Sequence, residues 1–102
     1  MNIVAVTACP TGIAHTYMAA EALEKAAKKL GFKIKVETQG AMGVENKISK
    51  AEVAEADLVI FAVDISVKDE GRFKGKPTFK IEAQKAIKNA TGIIQEALKL
   101  LE

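Results

Sequence analysis

The sequence holds one cysteine, Cys9, directly after the apolar run Ile3–Ala8 and at the head of Cys-Pro-Thr-Gly-Ile-Ala-His-Thr. A loop that leaves a buried strand and enters a helix turns several backbone N–H groups into one concavity, and the helix dipole adds to them. The donors that bind a phosphate there also stabilise a thiolate. Gly12 lets the backbone approach an anion closely, Thr11 and Thr16 add hydroxyl donors, and Pro10 stiffens the start of the loop. Cys9 therefore reads as a nucleophile or phosphate carrier, and Pro10, Thr11, Gly12, Ile13, Ala14, His15 and Thr16 as its phosphate-binding loop. A lone cysteine is more often a small buried hydrophobe. Such a residue belongs within an apolar run, whereas Cys9 follows one.

His15 has two readings: a helix-start residue touching solvent or a carbonyl, or a phosphate contact and charge partner for the thiolate. Asp64 closes the second apolar run, Leu58–Val63. With Arg72 and Phe73 it forms a second group of candidates, lining a crevice or a docking rim. Gly71-Arg-Phe-Lys-Gly75-Lys resembles a phosphate loop only superficially, since it lacks the spacing and closing Ser/Thr of a Walker motif. Its expected use is solvated charge or partner docking. One cysteine and one histidine make neither an internal disulfide nor a Cys/His metal site, so neither metal nor cofactor is expected.

The elements that must position these residues follow from periodicity. Ile3–Ala8 and Leu58–Val63 are apolar on both faces, as central parallel strands are. A helix is predicted from His15 to Leu30, with Ala19, Ala22, Leu23, Ala26 and Leu30 on one side and Gly31 beyond its end. Phe32–Glu37 alternates apolar and charged residues, which predicts an edge strand with one wet face. Residues 38–47 read as a loop around Gly40 and Gly43. Ser49 and Glu52 form a capping box for a short helix ending near Ala56. Residues 65–76 show no periodic pattern, and Pro77–Lys80 is assigned a fourth strand at the far edge. The segment Ile81–Leu101 is helical, divided at Thr91-Gly92.

These elements predict one α/β domain over residues 1–102: an open four-stranded parallel sheet, order 2-1-3-4, with helices on both faces in a Rossmann-like three-layer arrangement. Ligands bind such sheets where the strand order reverses. That point lies between the ends of the first and third strands, at Cys9 and Asp64.

Composition bounds the remainder. The chain has 102 residues, 49% hydrophobic and 27% charged, with a net charge of +2. That is a globular profile, and the interleaved charges offer no footprint for nucleic acid. No apolar run reaches the ~20 residues of a membrane span, and no leader is expected before the first strand. No direct membrane insertion is expected, and the expected location is the cytoplasm.

The stretches VTACPTGIAHTYMAAEALEKAA, VETQGAMGVEN, DLVIFAVDISV and RFKGKP are distributed along the chain from Val6 to Pro77. In them the sequence resembles the fructose-class IIB components of the bacterial phosphoenolpyruvate-dependent sugar phosphotransferase system. The resemblance implies a parallel sheet flanked by helices and a phosphoryl-transfer activity. It further implies that Cys9 takes phosphate from a phosphohistidine on a IIA domain and delivers it to a sugar, with fructose first by class. The sugar would be bound by the membrane IIC permease.

The loop also shares its outline with the Cys-x5-Arg-Ser/Thr cradle of low-molecular-weight tyrosine phosphatases. His15 stands where that cradle has its arginine. A guanidinium clamps phosphate oxygens in pairs, while an imidazole gives a single contact, so a carrier is expected rather than a hydrolase. An arsenate-reductase-like route needs resolving cysteines that the chain lacks. A nucleotide or flavin regulator would need an aromatic platform in the first loop, and none is there.

Overall fold

In the computed structural model the chain is described over residues 1–9, 13–40 and 43–102. Strand β1 (Asn2–Ala8) leads to helix α1 (Ile13–Lys29), strand β2 (Lys33–Gly40) and strand β3 (Gly43–Glu45). Helix α2 (Lys50–Glu55), strand β4 (Leu58–Val63), a 3-10 turn (Glu70–Phe73), strand β5 (Thr78–Ile81) and helix α3 (Ala83–Leu98) follow. The sheet has five strands in the order β3-β2-β1-β4-β5. Strands β2, β1, β4 and β5 pair in parallel, and β3 pairs antiparallel with the end of β2.

The expected four-stranded, wholly parallel sheet of order 2-1-3-4 is therefore corrected: the sheet is mixed and has a fifth strand. The reason lies in residues 38–45, which read as loop because they are polar and contain glycines. Thr38 and Gln39 are nevertheless buried, and β2 continues to Gly40 before the chain returns as β3. Gln39 can sit in a buried strand at this point because its amide is met by Lys68, from a distant segment.

The two faces carry separate cores. Ile3, Ala5, Val36, Leu58, Ile60 and Ala62 pack under α1 and α3, chiefly against Ala19, Leu23, Ala27, Ala86, Ile94 and Ala97. Val4, Val6, Ala8, Val59, Phe61 and Val63 pack under α2 and the 3-10 turn, against Ile48, Val53, Val67 and Phe73. Alternation along each strand splits the apolar runs between these layers. Phe61 and Phe73 meet edge to face, with ring centroids 5.2 Å apart.

Local signals set several boundaries. The capping box is formed: Glu52 N–H donates to Ser49 Oγ at 3.1 Å, and Ser49 N–H donates to Glu52 Oε1 at 2.8 Å. Gly31 takes φ +82° after α1, a left-handed position that favours glycine. The break in the C-terminal helix falls at Asn89, three residues before Gly92. Asn89 has φ −151° and ψ 62°, and its Oδ1 accepts from Gly92 N–H at 3.1 Å, capping the second half of α3. A Cβ at position 92 would stand 2.3 Å from Asn89 Nδ2, so the glycine makes room for its own cap.

Candidate functional site

Cys9 leaves the end of β1, the central strand, and its residue is 7% exposed. Its register parity is that of Ile3, Ala5 and Thr7, which face the α1 side. Helix α1 begins at Ile13, has no acidic residue in its first turn, and carries Lys28 and Lys29 in its last. Both features agree with the helix macrodipole and leave the N-terminus electropositive. His15 is exposed on the first turn, and its Nδ1 stands 3.9 Å from Cys9 Sγ. Ala14 beside it is exposed.

Thr16 is buried. Its carbonyl accepts from Thr7 Oγ1 at 3.0 Å, which ties the start of α1 to β1. Its own Oγ1 has no hydrogen-bond partner among the described residues. Pro10, Thr11 and Gly12 lie outside the described residues.

Asp64 comes to the neighbouring strand end. Val63 is in register with Ala8, and Asp64 N–H donates to the Ala8 carbonyl at 2.9 Å. The fold thus brings Cys9, His15 and Asp64 to one end of the sheet.

Arg72 and Phe73 belong to the layer under α2, where Arg72 reaches Glu37 of β2. They were expected to line a crevice or docking rim with solvated charge. The Arg72 side chain is 2% exposed and Phe73 3% exposed, so the Arg72 charge is not solvated, while Phe73 lines a surface groove with Phe61, Glu70 and Lys76. Arg72 makes a two-pronged pair with Glu37, Nη1 to Oε1 and Nη2 to Oε2, both at 2.6 Å. The guanidinium also sits 4.6 Å from the Phe73 ring centroid. Lys76 Nζ donates to the carbonyls of Ala54 and Ala56, each at 3.0 Å, closing the end of α2. In the Gly71–Lys76 cluster, Arg72 and the half-buried Lys76 are thus corrected from solvated charge to internal bracing, while Gly71, Lys74 and Gly75 are exposed.

Glu37 was expected on the wet face of an edge strand, and its side chain is fully buried. It also accepts from Ile48 N–H at 2.8 Å and from Gln39 Nε2 at 2.6 Å. Gln39 in turn accepts from Lys68 N–H at 2.7 Å and donates to Lys68 O at 3.1 Å. Burial pushes the Glu37 carboxyl up, but Arg72, Gln39 and the Ile48 N–H outweigh it and hold it below the usual 4.5. This network was missed because a carboxylate in an alternating strand reads as solvent-facing. The available signal was the placement of Glu37 and Gln39 on one strand face; Arg72 carries none, since its neighbours in the chain are charged residues and glycines apart from Phe73.

Known proteins share this sequence and fold. Residues 4–96 match the family described as "PTS system, Lactose/Cellobiose specific IIB subunit". The chain belongs to the PTS IIB family. It is 53% identical over 95 residues to the PTS system fructose-like EIIB component 2 of Escherichia coli, covering 93% of this chain and 90% of that protein. Against fructose-like EIIB component 1 of the same organism it is 44% identical over 100 residues, covering 98% and 93%. Among solved structures, a domain of the fructose-specific IIABC component of Borrelia burgdorferi superposes with a TM-score of 0.92 at 51% identity. That match covers 96% of this chain and 93% of that one. As a PTS IIB domain, the chain has a phosphoryl-transfer role in sugar uptake. Among the described residues no helix is long and apolar enough to cross a membrane.

Proposed function

We propose that Cys9 is the phosphoryl acceptor of this IIB domain, taking phosphate from a phosphohistidine of a IIA partner and passing it to a sugar held by a membrane IIC permease. The observation that carries this reading is the placement of the sulfur. It sits at the carboxyl end of the central strand, 3.9 Å from an imidazole on the first turn of α1. In the first step the Cys9 thiolate attacks phosphorus, the P–N bond to the donor imidazole breaks and a P–S bond forms. In the second a sugar hydroxyl attacks phosphorus, the P–S bond breaks, the thiolate leaves and the hydroxyl proton passes to a base.

The loop 10–16 would cradle the phosphoryl oxygens with backbone N–H groups, and His15 would add one contact. A single imidazole holds the group without a guanidinium's paired grip, so water attack is poorly stabilised and the phosphocysteine persists until an acceptor aligns. Fructose is the first sugar to test, because the close relatives are named fructose-like. The family description names lactose and cellobiose, which makes those the comparison arm. The domain would work in the cytoplasm, docking on IIC at the membrane face.

The test is to incubate the chain with phosphoenolpyruvate, the general transport enzymes and a IIA donor, then locate phosphate by mass spectrometry. Label on Cys9, absent in Cys9→Ser, is the expected result. Equal labelling of Cys9→Ser would overturn the assignment. Steady release of phosphate from p-nitrophenyl phosphate would favour a phosphatase instead.

A further inference from the structure

We infer that Glu37, Gln39 and Arg72 are positioning residues: they pin the segment after β4 across the end of β1, making it a fixed wall beside Cys9. The inference rests on the reading of Cys9 as phosphoryl acceptor.

The geometry starts from register. Ala8 pairs with Val63 of β4 on one side and with Gln39 of β2 on the other. Cys9 is the next residue after Ala8. The segment leaving β4 is fastened at Asp64, whose N–H donates to Ala8 O. It is fastened again at Lys68, whose N–H and carbonyl both bond to the Gln39 amide. Residues 64–68 therefore bridge two strand spacings, roughly 10 Å, over the end of β1.

Between the two fastenings, residues 65–67 make no backbone hydrogen bond among the described residues. Asp64, Ile65 and Ser66 are exposed there, and only Val67 packs into the core. The position of the wall thus depends on Gln39, and Gln39 is itself held by Glu37 through a 2.6 Å bond. Arg72 completes the clamp from the other end of the segment: its Nε donates to Asp69 O at 3.0 Å and its Nη1 to Ile48 O at 2.7 Å.

Stability alone does not account for this arrangement. A buried ion pair loses in desolvation much of what it gains in attraction, and apolar residues of similar volume stabilise a fold as well or better. What the pair adds is geometry. A two-pronged fork has one favoured arrangement, and an amide that bonds both backbone groups of Lys68 fixes that residue's height and rotation. A wall held this way presents the same surface to each approaching partner.

Two variants separate positioning from folding. Gln39→Met removes both Lys68 bonds but keeps chain length and the Glu37–Arg72 pair. Glu37→Leu combined with Arg72→Met removes the fork while leaving no unpaired charge. Thermal unfolding first establishes that each is folded, and Gln39→Met carries the test if the double variant is not. The expected result in the isolated chain is that Lys68 N–H loses hydrogen-exchange protection and iodoacetamide alkylates Cys9 about fivefold faster, as the segment opens locally. With a phosphorylated IIA donor, KM is expected to rise about tenfold while kcat stays near wild type, since a displaced docking wall costs alignment.

A folded Gln39→Met chain with wild-type alkylation rate and wild-type KM would overturn the proposal. If wild-type Cys9 takes no phosphate at all, the carrier reading has failed, and the alkylation rate alone then decides whether the wall exists.

Discussion

Between Cys9 Sγ and His15 Nδ1 lies a 3.9 Å gap that an imidazole spans with one atom. A longer side chain with a planar fork could reach around a phosphoryl group from the same helix position. His15→Arg is accordingly expected to shorten the lifetime of the phosphocysteine by about tenfold, since charge-assisted paired hydrogen bonds are worth roughly 1.5–3 kcal/mol. The decay of labelled protein without acceptor measures this. An unchanged lifetime would remove His15 from the account of why the group resists water. At the same scale Thr16 anchors the turn through its carbonyl, and a serine there retains that backbone bond to Thr7.

Helices α2 and α3 are each held by side-chain caps, and each gives a measurable prediction. Glu52 closes the box at the start of α2 and also meets Lys35 Nζ at 2.8 Å. The Lys35 bond, then the Ser49 N–H, hold its carboxyl down to about 2 from the usual 4.5. A depressed folded value means that the contribution is complete above about 4.5 and disappears as pH falls through about 2. Hydrogen exchange in residues 50–55 should accelerate over that window before the sheet opens, and Glu52→Gln should flatten the response. In α3 the cap is Asn89. Asn89→Ala is expected to cost about 1 kcal/mol, with Asn89→Ser largely tolerated, as judged by urea unfolding.

For the molecule as a whole, the ion pair between Glu37 and Arg72 joins β2, the approach to α2 and the segment after β4. Arg72→Ala leaves a fully buried carboxylate without its cation and is expected to cost about 3–5 kcal/mol. Glu37 titrates below its ordinary value in the folded chain, so its contribution is complete above about 4.5 and is lost as pH falls through the folded value. Acid unfolding followed by circular dichroism should therefore be less steep in the paired Glu37→Leu, Arg72→Met chain than in wild type. If Arg72→Ala and the paired variant were equally unstable, the cost would come from lost packing and not from the stranded charge.

Much of this was legible in the residues themselves. Leu58–Val63 is apolar at every position and Ile3–Ala8 at all but Thr7, which suits strands covered on both faces, and both are buried throughout. Ser49 and Glu52 signal their own cap, because a capping box needs only neighbours three apart. Cys9 followed by Pro-Thr-Gly marks the end of a strand, so its place at the sheet's carboxyl end followed from local order alone. Other features depend on partners far along the chain. Thr38 and Gln39 carry no apolar signal; pairing with β1 and β3 makes a strand of them, and Lys68, 29 residues away, satisfies the buried Gln39 amide. Glu37 reads as solvated until Arg72, 35 residues on, folds back to meet it. Periodicity reports which side of an element faces apolar matter, and it is silent where the buried face is polar. The sequence by itself determined that Cys9 would stand at the mouth of the sheet. The tertiary structure decided what stands beside it, because that wall is held by charges which only the completed fold brings together.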